Sequence, residues 1–576
     1  MRLARLVFVV FTIVFIANGA LFAQTAPNLE NGWKPFGSYD GTHLDTVNLL
    51  NGNLMLHAPI VPDVPQRGSL KIAYSLYGTS KDWQVSCFFD SHTQLMQCSW
   101  VKGGGQIGVV MSPANLSVHR TLDKQYSGGQ GNTTYAAYGY TITTSDGAAH
   151  QLSGVTGTED SNGEPTQFDS ADLSGYHLVL SGPDSVFPGV LNQVTVMDRA
   201  GNQYQGNFFA ASGCGRFAFA GASAPGASRQ PVFDDAPAGD QFCSQVARTS
   251  LVTDSNGNQI SPTAPPNFNP AMDTLGKAPH LTTAGTSTTD YSGCASAHSF
   301  YTAGIWYYQD PNGATRQIKT CSAEIPIQTA FNQPNPYRTN VMVGEGVTGG
   351  STHFVPVVSV VLADGSRWTF DYDSYGLLTY VGLPTGGSIS CTWTTINFTS
   401  CDPVNVTKLS RAVASRTLND GQGHTSTWNY SWGTFANGSQ TNVVTDPAGN
   451  DTAHIFTILN PTGSTTPACN LYETSTIQYQ GAASANHPLQ QTDTTYASAA
   501  IMQDAAVSNL ANVFATDIVT TVYPSGKVRK VHKDPDSGLG AGKLIFGNVK
   551  KEFEYDWGQG QPGALLRETD TTYQWE

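Results

Sequence analysis

Asp446-Pro447-Ala448-Gly449-Asn450 is one copy of a turn pattern that recurs along the chain. Close copies begin at Asp198, Asp254 and Asp310, and looser ones lie at Asp364-Gly365, Asp420-Gly421-Gln422-Gly423 and Pro524-Ser525-Gly526. The Asp carboxylate can accept hydrogen bonds from backbone N–H groups two and three residues on, and Gly supplies the positive φ that closes a hairpin. Each copy therefore predicts two strands joined by a tight turn. Their irregular spacing favours a hairpin meander over a strict solenoid.

The segments between these turns alternate apolar and polar residues. Examples are Ser69 to Tyr77, Gln193 to Met197 and His353 to Leu362. This period of two, with Val, Thr, Tyr and Phe enriched, is typical of strands. We expect an all-β fold made of many antiparallel hairpins, with few helices. The best helical candidate is the Ala-rich stretch from Ser498 to Phe514.

The composition limits the classes of function. The hydrophobic fraction of 39% is too high for a disordered chain, although only 12% of residues are charged. The net charge is −14, and no basic run is present, which argues against a nucleic-acid partner.

The N-terminus has the features of a secretory signal. Arg2 and Arg5 precede an apolar run from Leu6 to Ala17, which is too short to span a bilayer. We expect a signal peptide over residues 1–23 with cleavage after Ala23, although an uncleaved anchor is the alternative. The mature chain is then exported past the inner membrane, to the cell surface or the medium.

Nine cysteines occur, and no two form a Cys-x-x-Cys pair. In an exported protein the default expectation is disulfides. Pairing of neighbours predicts Cys87–Cys98, Cys214–Cys243, Cys294–Cys321 and Cys391–Cys401, with Cys469 left over; the alternative is that several are small buried residues.

Two low-complexity stretches, Ala220 to Ala238 and Ser261 to Ala284, are typical of surface insertions or linkers. We place a domain boundary at Asn332-Gln333-Pro334-Asn335-Pro336. This gives an N-terminal β-rich region with loop insertions over 24–335 and a more regular hairpin region over 336–576.

The segment from Trp368 to Val381 resembles one YD repeat, the unit of the Rhs and teneurin-like family. The matching residues are Tyr372, Asp373, Gly376, Leu378 and Thr379, whereas Leu377 stands where the family usually has Arg. Leu383 to Ile389 is similar to the turn between repeats. Asp45 to Leu54 is similar to the segment that starts the family's repeat region, a strand followed by an Asn-Gly-Asn turn.

The resemblance implies a long β-sheet wound into a hollow shell, with surface adhesion or enclosure of a C-terminal toxin as its use. Neither the family's core block with its autoproteolytic aspartates nor a variable toxin domain is recognisable. We therefore expect the sequence to correspond to the N-terminal part of such a protein and to be incomplete at its C-terminus.

The sequence contains segments similar to known catalytic and ligand-binding motifs, but each lacks positions that the motif requires. Gly540-Ala541-Gly542-Lys543 lacks two positions of a phosphate-binding loop, and Asp534-Pro535-Asp536-Ser537-Gly538 starts a calcium loop whose twelfth position is Ile545. A looser calcium site formed by acidic turns stays open. No zinc-protease helix or nucleophile elbow is present, and His150, His280 and His424, beside turns, are expected to be solvated. We assign no catalytic, cofactor-binding or metal-binding residue.

Aromatic residues in strand-like runs have two interpretations, as core or as platforms for sugar rings. We favour the core, since aromatic side chains dominate core burial. These residues are Trp306, Tyr307, Tyr308, Trp368, Trp393, Trp428, Tyr430 and Trp432.

Three functions stay open. The first is a non-enzymatic, secreted or cell-surface YD-repeat scaffold that binds carbohydrate or a neighbouring cell surface. The second is a secreted carbohydrate-active enzyme, whose paired carboxylates meet only in the folded chain. The third is the shell fragment of a polymorphic toxin that lacks its toxin domain.

Overall fold

The computed structural model describes most of the chain between residues 30 and 572. The described ranges are 30–33, 35–42, 44–65, 70–90, 92–102, 108–112, 116–127, 132–144, 147–155, 157–160, 165–170, 172–185, 187, 189–209, 242–261, 272–273, 282–283, 289–310, 314–347, 354–398, 406–459, 471–500, 511–535 and 548–572. The predicted signal peptide lies outside them.

The fold is all-β, as the alternation predicts, with neighbouring strands antiparallel throughout its sheets. The first sheet has five strands in the order β1-β2-β3-β4-β7, and β5 pairs with β6 as a separate hairpin. We call the five-stranded sheet the plug. The strands are β1 Tyr39–Gly41, β2 Asp45–Asn48, β3 Leu54–Pro65, β4 Lys71–Thr79, β5 Trp83–Asp90, β6 Leu95–Lys102 and β7 Gly108–Ser112.

The second sheet closes on itself. Strands β8 to β15 form a ring, because β14 pairs with both β13 and β15, and β15 pairs with β8; β16 and β17 extend it. The strands are β8 Ser117–Ser127, β9 Asn132–Thr143, β10 Ala149–Gly154, β11 Gln167–Ser170, β12 His177–Pro183, β13 Leu191–Met197, β14 Gln203–Phe209, β15 Phe242–Thr253, β16 Gln259–Ser261 and β17 Met272–Asp273.

The third sheet is a meander of 17 strands in which every strand pairs with its neighbours in sequence, from β18 to β34. It includes strands from both sides of the boundary predicted at 332–336, and that division stays a prediction. The strands are β18 Thr282–Thr283, β19 Phe300–Gln309, β20 Thr315–Ala323, β21 Val357–Val361, β22 Arg367–Tyr372, β23 Leu378–Gly382, β24 Ser388–Asn397, β25 Leu409–Asn419, β26 Thr425–Trp432, β27 Ser439–Thr445, β28 Asp451–Ile458, β29 Leu471–Tyr479, β30 Pro488–Ala500, β31 Ala511–Val522, β32 Lys527–Pro535, β33 Val549–Gln559 and β34 Leu565–Asp570. A 3-10 turn, η1, spans Ala483–Ala485.

The recurrent turns form hairpins as predicted, with one difference in their bonding. In the copy at Asp446 the carboxylate accepts from the N–H groups of Ala448 and Asn450, two and four residues on. The third N–H, that of Gly449, binds the backbone oxygen of Asp446 instead. Gly449 has φ +83°, so this is a three-residue loop that ends in a left-handed residue. The loop has one residue more than a two-residue hairpin turn. For this reason the second hydrogen bond to the Asp446 carboxylate comes from the N–H four residues on, not three.

The Tyr-Asp segment uses the same turn. Asp373 accepts from the N–H groups of Tyr375 and Leu377, and Gly376 has φ +67°. Tyr372 donates its hydroxyl to the Val357 carbonyl at 2.7 Å. The Leu377 side chain, at the position that departs from the family pattern, is buried.

The main hydrophobic core lies between the plug and one face of the 17-stranded sheet. We call this sheet the large sheet, and the face that contacts the plug its inner face. Val47, Leu56 and Leu76 of the plug share a cluster of buried residues with Phe370 and Phe456 of the large sheet. A smaller core holds the β5–β6 hairpin against the segment before β21, and another fills the closed sheet. The plug thus covers part of the inner face.

The Ala-rich stretch Ser498 to Phe514 is not a helix where the structure describes it. Ser498 pairs with Val513 and Ala500 with Ala511, as the adjoining ends of β30 and β31. Residues 501–510 lie outside the described ranges. Pairing with neighbouring strands outweighs the modest helix propensity of alanine here.

Two predicted disulfides are confirmed, Cys87–Cys98 and Cys294–Cys321. The predicted Cys391–Cys401 pair is wrong, because Cys391 is a free, buried thiol on the inner face of β24. Spacing alone could not show that a strand position faces the core. Cys214, Cys401 and Cys469 lie outside the described residues, so the Cys214–Cys243 pair stays a prediction.

Candidate binding cavity

A cavity of about 280 Å³ lies where the chain before β1 meets strands β29 to β33 of the large sheet. This size is close to the lower end of the roughly 300–1,000 Å³ that is usual for ligand pockets. We call it the seam cavity. Its lining residues are Phe36, Gly37, Ser38, Glu473, Thr476, Thr494, Tyr496, Phe514, Ala515, Ile518, Lys533, Pro535 and Val549.

Glu473 ties the two walls of the seam cavity together. Its carboxylate accepts hydrogen bonds from Ser38 of the N-terminal segment, from His454 Nδ1 at 2.6 Å and from Thr476 Oγ1 at 2.6 Å. Burial raises the pKa of Glu473, but the hydrogen bonds and the imidazole of His454 outweigh it and hold this pKa below its usual range. The carboxylate is therefore ionised, and most of its acceptor capacity is used inside the protein.

Two aromatic rings flank the seam cavity. The Phe36 ring stands edge-on to the Tyr496 ring, with centroids 6.3 Å apart. Phe36 is 40% exposed and has φ +58°, a backbone conformation that large side chains rarely adopt. Tyr496 donates its hydroxyl to the Glu473 carbonyl at 2.8 Å, and burial raises the pKa of this phenol. The ring of Tyr496 is thus fixed in place while Phe36 is presented to solvent.

Lys533 provides a positive charge in the lining. Its ammonium lies 3.4 Å from the carboxylate of Glu552, and both side chains are about one third exposed, at 31% and 30%. Phe514, Ile518 and Val549 supply apolar surface beside it. The seam cavity therefore combines an apolar floor, aromatic faces and a cation.

The described lining of the seam cavity does not hold the pair of carboxyl groups that a glycosidase uses. Glycosidases need two carboxyl groups about 5–9.5 Å apart across the scissile bond. Among the described residues that line the seam cavity, Glu473 is the one carboxylate, and it is already bonded to three donors. Over the same described ranges, no group of three or more His, Cys, Asp or Glu residues is placed to hold a metal ion.

The structure describes only part of the two segments that resemble a phosphate-binding loop and a calcium loop. Gly540 to Lys543 lie outside the described residues, as do Asp536 to Gly538. Pro535 ends β32 and lines the seam cavity, whereas the carboxylate of Asp534 binds His532 Nε2 at 3.1 Å.

Seven of the eight aromatic residues follow the core interpretation, and Tyr307 does not. Trp368 and Tyr430 are buried, Tyr307 is half-buried, and the remaining five pack partly buried against the main core: Trp306, Tyr308, Trp393, Trp428 and Trp432. None of these eight residues lines the seam cavity. The aromatic residues that do line it, Phe36, Tyr496 and Phe514, are not among those considered as sugar platforms from the sequence.

The expectation for the histidines is wrong at one position. His150 is buried at 4% exposure and its Nδ1 lies 2.7 Å from Asp172, because β10 turns this side of its strand inward. The His424 ring is solvated as expected, with 83% of its side chain exposed, although it also bonds Asp420. His280 lies outside the described residues.

Sequence reasoning missed every residue of the seam cavity except Pro535 and Phe514, which it had considered for other roles. The lining joins Phe36 to Ser38 with residues more than 400 positions later, and no local motif marks such a meeting. The one local signal is alternation, which places Thr494 and Tyr496 on the same face of β30.

Within the described part of the chain, no helix is both long and apolar enough to cross a membrane.

No protein-family model matches this chain, and no curated protein does. Among solved structures it is similar to a chain of the TcdB2-TccC3 crystal structure, at 7% identity and a TM-score of 0.29 over 93% of this chain and 46% of that one. The TcdB2-TccC3-TEV structure gives 10% and 0.12 over 92% and 33%. The present chain thus spans about half or less of the chains it matches, and these scores assign neither a family nor a function.

Proposed function

We propose that this chain is a secreted or cell-surface β-sheet scaffold, not an enzyme, which binds carbohydrate through the seam cavity. The observation that carries the proposal is the cavity's lining. Aromatic rings flank an apolar floor, and hydroxyl and charged groups stand beside them. Sugar rings have an apolar face and a polar edge, which match such a surface.

The fold supports the scaffold part of the proposal. The meander of 17 strands, covered on part of its inner face by the plug, is an extended wall with its own core. The Tyr-Asp segment also forms the Asp-x-x-Gly turn that the resemblance to YD repeats implies. Such a wall can present a binding site without any moving part.

The test is a glycan array probed with mature chain 24–576 and with the variant Tyr496→Ala. We expect saturable binding to one class of glycan by the wild type, and loss of most of it in Tyr496→Ala because a stacking face is removed. Tyr380→Ala is the control, since it also removes a strand tyrosine but Tyr380, which is 39% exposed, does not line the seam cavity. Its binding should equal that of the wild type.

Intact mass under non-reducing conditions and near-UV circular dichroism establish that each sample is folded. A folded wild type that binds no glycan contradicts the carbohydrate part of the proposal. Release of new reducing ends from a bound glycan contradicts the non-enzymatic part. Equal loss of binding in Tyr496→Ala and Tyr380→Ala contradicts the choice of the seam cavity as the site.

A further inference from the structure

We infer that the seam cavity prefers acidic sugars, and that Lys533 is the residue that pairs with the carboxylate of a uronic acid. This inference rests on the proposed function and narrows it to one class of ligand. It follows from which charged groups of the cavity still have hydrogen-bonding capacity to offer.

Glu473 has little left to offer a ligand. Both of its carboxylate oxygens already accept hydrogen bonds, Oε1 from His454 and Thr476 and Oε2 from Ser38. A cationic or strongly donating sugar would have to displace these internal bonds. The negative charge of the cavity therefore acts mainly to hold the N-terminal segment in place.

Lys533 is in the opposite situation. An ammonium group has three N–H donors, and Glu552 is its carboxylate partner at 3.4 Å. With 31% of the side chain exposed, donors remain that can turn towards a ligand. The next carboxylate along β33, Glu554, is bound by Arg567 and does not compete for Lys533.

The position of Lys533 in the sheet directs it towards the seam cavity. Val531 pairs with Ile518, which lines the cavity, and Lys533 lies two residues further on the same face of β32. A sugar ring on the apolar floor would thus carry its carboxylate beside this ammonium. A neutral sugar fills the same floor but leaves the ammonium with water.

Lys551 is the natural control. Lys533 pairs with Glu552 across the strands, so Lys551, the residue before Glu552, points to the opposite face. There it binds Glu568 at 2.6 Å and Asp570 at 3.1 Å, and it is 41% exposed. Removal of its charge changes the total charge as much as removal of the Lys533 charge, but at a different place.

The experiment uses oligosaccharides of galacturonate, glucuronate and mannuronate, each paired with its methyl ester, which keeps the ring and removes the charge. Binding to mature chain 24–576 is measured by calorimetry at low and at high salt. We expect at least one acid to bind about three- to five-fold more tightly than its ester, the effect of one partly exposed ion pair. High salt should reduce this preference.

The variants decide the assignment. Lys533→Met should abolish the preference for the acid, so that acid and ester bind with equal affinity, while Lys551→Met should keep the preference. If every acid and its ester bind equally, or if Lys533→Met keeps the preference, the inference is wrong and the proposed function stands. If binding is confined to neutral glycans and lost in Tyr496→Ala, the same conclusion follows. Absence of all glycan binding overturns both.

Discussion

At the scale of single residues, the most consequential pair is Asp45 and Arg416. Both are almost fully buried, at 1% and 2% exposure, and the guanidinium binds the carboxylate through Nε and Nη2. The pair joins β2 of the plug to β25 of the large sheet. Buried ions of this kind are tolerated only while each has its partner, because the cost of removing them from water is large.

We expect Asp45→Asn to lower the free energy of unfolding by about 3–5 kcal/mol, since it leaves the Arg416 charge buried without its partner. Urea denaturation followed by tryptophan fluorescence measures this. The double variant Asp45→Leu with Arg416→Met should recover most of the loss, because it removes both charges. A loss of under about 1 kcal/mol in Asp45→Asn would show that water, or the nearby charge of Asp40 that also acts on Arg416, compensates the guanidinium.

Glu473 should make stability depend on acid pH. Its pKa in the folded chain lies below the usual value of 4.5, so the stabilisation is present above that value and is lost as pH falls through the folded-state pKa. We expect Glu473→Gln to be less stable than the wild type at pH 6 and to show a weaker fall in stability below pH 4.5. Thermal unfolding at several pH values measures both. Parallel curves for the two proteins would contradict this role for Glu473.

At the scale of structural elements, the turns are the part of the structure that the sequence predicted best. Asp and Gly at fixed spacing define the loop through local bonds, which need no knowledge of the rest of the fold. The prediction failed where the outcome depends on a partner strand. Ser498 to Ala500 join a strand despite their alanines, and His150 is buried although it follows a turn.

Alanine substitutions at two glycines distinguish the cost of backbone strain from the cost of steric crowding. Gly449 has φ +83°, and a Cβ there would have no atom within 4 Å, so Gly449→Ala should cost only the left-handed strain of about 1 kcal/mol. Gly52 has φ +69°, and its Cβ would stand 2.3 Å from the Cβ of Ala412. Gly52→Ala should therefore cost clearly more, because the plug has to move away from the large sheet.

Denaturant unfolding of both variants tests this difference, with Gly449→Asn as a control that tolerates the left-handed conformation and should lie closer to the wild type. Equal losses for Gly52→Ala and Gly449→Ala would mean that the plug does not pack tightly at this turn.

At the scale of the whole molecule, the fold class could be predicted from the sequence and the seam cavity could not. Alternation and turns are local, so they indicate an antiparallel meander. The cavity depends on the placement of Phe36 to Ser38 against β29 to β33, which is a long-range contact. The free Cys391 illustrates the same limit, since its burial depends on the plug that covers β24.

The two described disulfides should stabilise the chain unequally. The two cysteines are 11 residues apart in sequence in Cys87–Cys98 and 27 residues apart in Cys294–Cys321, so the second disulfide closes the longer loop. Replacement of both cysteines of a pair by serine should cost about 3 kcal/mol, and the longer loop should cost about 0.8 kcal/mol more than the shorter one. Thermal unfolding of the two double variants measures the difference. A larger loss for the Cys87–Cys98 pair would contradict an explanation from loop length.

The bond between Asp45 and Arg416 joins residues 371 positions apart, whereas each strand of the meander pairs with the next strand in sequence. A ribosome adds about 5–20 residues per second, so roughly 20–75 s pass between the synthesis of these two residues. During that delay the Asp45 carboxylate lacks this counter-charge, although core partners of the plug such as Ile318, Val360 and Phe370 are made before residue 416. The ion pair that joins the plug to the large sheet can therefore form only after most residues of their shared core have been made.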